Sequence, residues 1–458
     1  MSELRAGAAR SCITPWLRPG FANWRDPGDR RERQHIADDL YAKAIVLENE
    51  DTSMAIVVCD LGMLLQEDCD RAKDLASRMT GIPPENIFVS CTHIHSGPAT
   101  ASGLGDRRDE YYMATAMERV ATSVLMAQNE MRPAEAGVAR TAVPGETFNR
   151  RIRMRDGSIR NNFALRYQDP DAVEPAGPTD PEVVVLAVRD LERQPIAILA
   201  SYSLHYMGAL GDPGPAYSAD YFGEFDHALQ RIAGGRFVGV MANGCCGDVN
   251  QIDIWHPKAE LPYFRYHVER VANVLAGAAY GAWQGLRGFQ YDRSPTLGAA
   301  TEMAALGRRQ PTEAQLQRAQ ALLAGEAPLD GEPRLRPWEF KQWEMVYAEE
   351  ILLVDEEPLK QQHPIMALRV GELGIVGLPG EAFVEYGLDI KARSPFETTM
   401  IIELANGYAG YLATDKALTE VDADHNSYDT HLARSSKASV GTQGSFVNAA
   451  LAALGRLR

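Results

Sequence analysis

One arrangement of apolar and polar residues occurs three times along this chain, and it restricts the fold more than any other feature. Residues 41–60, YAKAIVLENEDTSMAIVVCD, read as strand, acidic turn and strand. A polar helical stretch from about Gln66 to Met79 follows, then NIFVSCTHIHSGP as strand and loop. Residues 181–205, PEVVVLAVRDLERQPIAILASYSLH, repeat the order, with a helix from about Ala219 to Ile232 and then RFVGVMANGCCGDVN. Residues 363–381, HPIMALRVGELGIVGLPGE, start a third copy, with a helix near Phe383 to Ala392 and then TTMIIELANGYAGYLA. The continuous Val/Ile/Leu runs predict sheets covered on both faces. The expected fold is therefore a layered α/β body of mixed sheets flanked by helices, built from three ββαβ-like units.

Functional groups in such bodies gather at strand ends and in the loops beyond them. The pattern nominates Asp60, His205 and Glu381 just past each second strand. In the following loops it nominates His93 and His95, Cys245 to Asn250, and Tyr408 and Tyr411. Residues 1–458 are expected to form a single catalytic domain. A helical insertion at about 259–360 would carry helices at 259–285 and 312–350, as a cap or a homo-oligomer interface. Residues 145–180, polar and rich in Pro and Asp, read as a long loop.

The net charge of −16 argues against nucleic acid and anionic membranes as partners, leaving a small-molecule substrate. No run approaches a membrane span, and the N-terminus MSELRAGAARSCITP lacks the apolar region of a secretory signal. The 6 cysteines form no CxxC pair, so reduced thiols in a cytoplasmic enzyme are expected.

In VSCTHIHSGPA, His93 and His95 lie two apart at the end of an apolar run, so in extended chain they face one side. A lone strand-end histidine is usually a satisfied structural residue. His205 in SYSLHYMG could be one, Glu381 in LPGEAF could cap a helix dipole, and NGYAGY could be a packed turn. Their equivalent places in three copies favour one shared site. Two imidazoles and a carboxylate are a ligand set that catalytic zinc uses, with a position left for water. HExxH, Walker A and GxSxG motifs are absent, and no GxGxxG lies between a strand and a helix.

The segment CTHIHSGPA resembles the THTHSGP segment of the neutral ceramidases, and SLH, NGCCGDVN, LPGE and NGYAGY follow in that family's order. The resemblance spans about residues 5 to 430. It implies a zinc-dependent amide hydrolase whose metal is held by His93, His205, Glu381 and Tyr411. His95 would be the proton relay beside the metal water. Arg150 in FNRR and Tyr428 in YDT would donate hydrogen bonds where negative charge develops. Asn149, Asn243, Asp248 and Asn250 are expected substrate contacts. The chain departs from the family in three ways: Asn250 stands where ceramidases carry a serine, no C-terminal β-sandwich domain is expected, and no export signal is seen. A small polar amide is therefore expected as substrate rather than ceramide. A zinc lactonase or esterase acting on a sugar-acid-like compound is the alternative, and a non-catalytic metal- or ligand-binding protein remains open.

Overall fold

The computed structural model describes residues 3–17, 35–104, 107–205, 216–257, 263, 265–328, 340–420 and 427–458. A sheet of nine strands crosses the molecule. In spatial order its main path runs Val238–Asn243, Pro195–Tyr202, Glu182–Asp190, Arg132–Ala142, Arg5–Cys12, Tyr41–Glu48, Ser53–Cys59, Ile87–Cys91, with Tyr291–Asp292 pairing on Arg132–Ala142. A second sheet holds Leu297–Gly307, Lys360–Val370, Leu373–Leu378 and Thr398–Glu403.

Within each of the three segments the pairing order is the same. Tyr41–Glu48 pairs antiparallel with Ser53–Cys59, the chain crosses over through the helix Gln66–Thr80, and Ile87–Cys91 returns parallel to Ser53–Cys59. Glu182–Asp190 and Pro195–Tyr202, the helix Asp220–Ala233, and Val238–Asn243 do likewise. So do Lys360–Val370 and Leu373–Leu378, the helix Val384–Arg393, and Thr398–Glu403.

The apolar runs are continuous because both faces of these strands are covered. Ala44, Val46 and Val57 face a core shared with Val120, Phe222, Phe225 and Leu275 of three helices. The alternate residues Ile45, Ile56, Val58 and Leu199 meet Met366, Leu368, Ile375 and Ile402 of the second sheet. The far side of that sheet packs Ile365 and Val376 against Tyr386, Ile390 and Phe446. The layers thus run helices, large sheet, small sheet, helices. Mixed sheets flanked by helices are the architecture expected from the sequence.

Two expectations need correction. Residues 145–180 are not a plain loop: Arg151–Met154 and Ile159–Asn161 form a hairpin, joined by Ala172–Pro175. Ile152, Met154 and Ile159 are buried in alternation, and the Arg155–Ser158 turn contains Gly157 at φ +85°. The region 259–360 is not purely helical, since Leu297–Gly307 is a strand of the second sheet. Within it, the helix Tyr266–Gly285 joins the main core through Val271, Leu275 and Ala279. The helices Glu313–Leu323 and Phe340–Glu356 pack together around Leu322, Ile351 and Val354. Among the described residues no helix is long and apolar enough to cross a membrane.

Candidate metal centre

Each nominated residue sits where a strand with a parallel neighbour ends. After Ile87–Cys91, the N–H of His93 donates to Leu61 O at 2.9 Å, so the chain keeps following Ser53–Cys59. His93 then turns into the left-handed region at φ +65°, an uncommon conformation that collects at functional sites. His205 follows Pro195–Tyr202, where the Tyr221 hydroxyl holds Leu204 O at 2.8 Å. Glu381 follows Leu373–Leu378 and pairs in parallel with Tyr411. The CCGD loop passes so close to it that a Cβ at Gly247 would lie 2.3 Å from Glu381 O. Only glycine fits there.

These loops bring the three histidine rings together, all buried. Donor atoms of His93, His95 and His205 lie within 4.8 Å of one another. His93 Nε2 is 3.2 Å from His95 Nε2 and 3.1 Å from Glu381 Oε2. His93 Nδ1 lies 2.8 Å from Gly62 O, and His205 Nδ1 3.3 Å from Cys246 O. A carbonyl oxygen only accepts, so these Nδ1 atoms donate, and both Nε2 atoms turn toward the centre. His93 Nε2 and Glu381 Oε2 thus face each other across 3.1 Å, an ion pair when the ring is protonated and two ligand atoms for a shared cation when it is not. The donor set fits a divalent metal of the zinc type, with both Nδ1 hydrogens anchored as metal-bound histidines require.

Burial alone would raise the Glu381 carboxyl. The His93 ring, the Tyr411 hydroxyl and the Arg150 charge outweigh that and hold it below the ordinary carboxylate value. Tyr408 donates to Glu381 Oε1 at 2.9 Å. The Tyr411 hydroxyl, in contact with Glu381, lies 3.5 Å from that of Tyr428.

Arg150 is fully buried behind the tyrosines. Its guanidinium carbon is 4.7 Å from the Tyr428 ring centre and 5.3 Å from that of Tyr411. Nε donates to Asp429 at 3.2 Å and Nη2 to Gly247 O at 2.5 Å. Arg151 donates to the other Asp429 oxygen at 3.3 Å, so one buried carboxylate holds two guanidinium groups. Burial would raise Asp429, but Arg151 and Arg150 together keep it below its ordinary value.

The expected substrate contacts are engaged with the protein itself. Asn149 donates to Asp248 at 2.7 Å, and Val384 N–H to the other Asp248 oxygen at 2.8 Å. Burial, reinforced by Glu385, pushes the Asp248 carboxyl up to about 7. Asn250 forms a reciprocal amide pair with Asn162, both bonds 2.8 Å. Asn243 donates to Thr92 O at 3.4 Å and to Cys246 Sγ at 3.2 Å. Asp60 accepts from Tyr41 N–H at 3.0 Å and lies 3.6 Å from Lys43 Nζ, making a buried structural pair.

The sequence reading passed over Glu403, which ends TTMIIE, and Asp429. Their only signal was an acid closing an apolar run and the acid after Tyr428. Glu403 is wholly buried, and burial pushes its carboxyl well up against the pull of the Cys246 and Ala382 donors.

Among solved structures, the chain superposes on neutral ceramidase from Pseudomonas aeruginosa with a TM-score of 0.70 at 17% identity, covering 100% of this chain and 75% of that one. A ceramidase complexed with C2 gives the same TM-score and identity over 76% of its length. The fold is ceramidase-like. No protein-family model matches the chain.

Proposed function

We propose that this protein is a zinc-dependent hydrolase that cleaves an amide bond in a small polar substrate. The observation that carries the reading is the buried cluster of His93, His95, His205 and Glu381 at the ends of strands from three segments, on a ceramidase-like scaffold. His93, His205, Glu381 and Tyr411 are the proposed ligands. Zinc, when bound, supplies Lewis acidity toward a carbonyl and makes water acidic near neutral pH.

The remaining steps belong to the chain's own groups. His95 Nε2, 3.2 Å from His93 Nε2, is placed to hold a proton taken from water and return it to the leaving amine. Tyr428, its ring against Arg150, offers a hydroxyl donor where negative charge develops, while Arg150 adds a fixed positive charge behind it. Asn250 contributes no nucleophile, because a carboxamide is neutral and its oxygen already accepts from Asn162. The Arg150 charge behind Tyr411 and Tyr428 makes an alkyl chain an expensive occupant of the centre, which supports a polar substrate.

The test is elemental analysis of purified protein, followed by turnover on short amides, lactones and ceramide analogues under identical conditions. One zinc per chain and fastest cleavage of a small polar amide are expected. Metal-free protein whose activity zinc does not change would refute the zinc reading. Faster cleavage of long-chain ceramides would refute the substrate reading.

A further inference from the structure

Resting on the metal reading above, we infer that Glu403 is the positioning residue of the centre, clamping the Cys246 loop that backs His205 to the Glu381 turn. Cys246 is the residue that His205 Nδ1 faces, its carbonyl oxygen at 3.3 Å and its sulfur at 3.5 Å. That peptide is held from both sides. The Cys246 N–H donates to Glu403 Oε2 at 3.1 Å, and its thiol donates to Oε1 at 2.7 Å. The same Oε2 accepts from Ala382 N–H, next to Glu381, at 3.0 Å. Gly247 N–H closes the ring by donating to Ala382 O at 2.8 Å.

One wholly buried carboxyl group therefore receives three donors from two loops, one backing His205 and the other carrying Glu381. Through Cys246 it fixes the ring plane of His205, and through Ala382 it fixes where Glu381 projects. Glutamine, of the same shape, does not reproduce this. Glutamine keeps one acceptor oxygen and turns an NH2 toward the donors, so at least one buried N–H or S–H loses its partner. Partners that orient metal ligands from behind change metal affinity by roughly 10–100-fold when altered.

The experiment strips the full chain of metal and measures zinc affinity by competition with a chromophoric chelator. Wild type is compared with Glu403→Gln, Cys246→Ala and a remote core variant, Val354→Ala, with the apoprotein Tm recorded for each. Glu403→Gln is expected to weaken zinc binding by roughly 10–100-fold. Cys246→Ala, which removes only the thiol donor, should weaken it less. Val354→Ala should lower Tm and leave affinity unchanged, separating positioning from general destabilisation. Zinc affinity equal to wild type in a folded Glu403→Gln protein overturns the inference while leaving the metal reading intact. If Glu403→Gln does not fold, unchanged affinity in Cys246→Ala overturns it. Wild type that binds no zinc overturns both.

Discussion

His363, which is not among the candidate ligands, offers a quantitative test of the energetics. It lies in the strand Lys360–Val370 against Phe446, and among the described residues neither ring nitrogen has a hydrogen-bond partner. Burial disfavours the imidazolium, and the nearby Lys437 adds to this, so the pKa falls from 6.5 to about 4. The unfolded chain takes up a proton below pH 6.5, whereas the folded chain does so only near 4. Folded-state stability is therefore lost as pH falls through that window.

Each pH unit inside the window costs about 1.4 kcal/mol. With rounding at its upper edge, the loss is about 2 kcal/mol at pH 5 and about 3 kcal/mol at pH 4. Urea unfolding of wild type and His363→Leu at about pH 7 and about pH 5 isolates this contribution, because other groups titrate alike in both proteins. Wild type should lose about 2 kcal/mol more than the variant. Equal losses in the two proteins would refute the reasoning, since His363 would then be protonated at no cost.

His205→Ala should reduce bound zinc sharply, measured by elemental analysis, because it removes the proposed ligand of the second segment. Asn250→Ala should keep measurable turnover while lowering stability by about 1–3 kcal/mol, the cost of leaving buried Asn162 without its reciprocal partner. Activity lost as completely as in His93→Ala would instead make Asn250 an essential substrate contact. Asp429→Asn leaves Arg150 and Arg151 without their shared counter-charge and should cost about 3–5 kcal/mol by calorimetry. A loss below about 1 kcal/mol would mean that the two guanidinium groups are satisfied elsewhere.

Much of the layered fold was legible because burial on both faces imposes uninterrupted apolar runs. Ser53–Cys59, Pro195–Tyr202 and Leu373–Leu378 fall within segments read as strands. The helices Gln66–Thr80 and Val384–Arg393 fall within a residue or two of their expected limits. The hairpin at Arg151–Asn161 was hidden because arginines alternate with its apolar residues and disguise the run as loop. His93, His205 and Glu381 were visible because each follows a strand signal, and the structure places His95 and Glu381 within reach of His93. Glu403 and Asp429 were not, since their importance lies in partners distant in the chain. No local spacing encodes the contact of Glu403 with Cys246, or of Asp429 with two arginines.

The way the three segments share the centre also dictates when it comes into being. In the unfolded chain only His93 and His95 are close enough to meet one ion together. His205 and Glu381 arrive after long loops have closed and the strand pairs of three segments have found register, and closing such loops is slow. Ser90 and Ala405 bridge directly, and Asn406 N–H donates to Val89 O at 2.7 Å, so the third segment docks on the very strand that carries His93. A complete ligand set is consequently a late product of folding. If the proposed ligands hold zinc, its high-affinity uptake during refolding would report native topology.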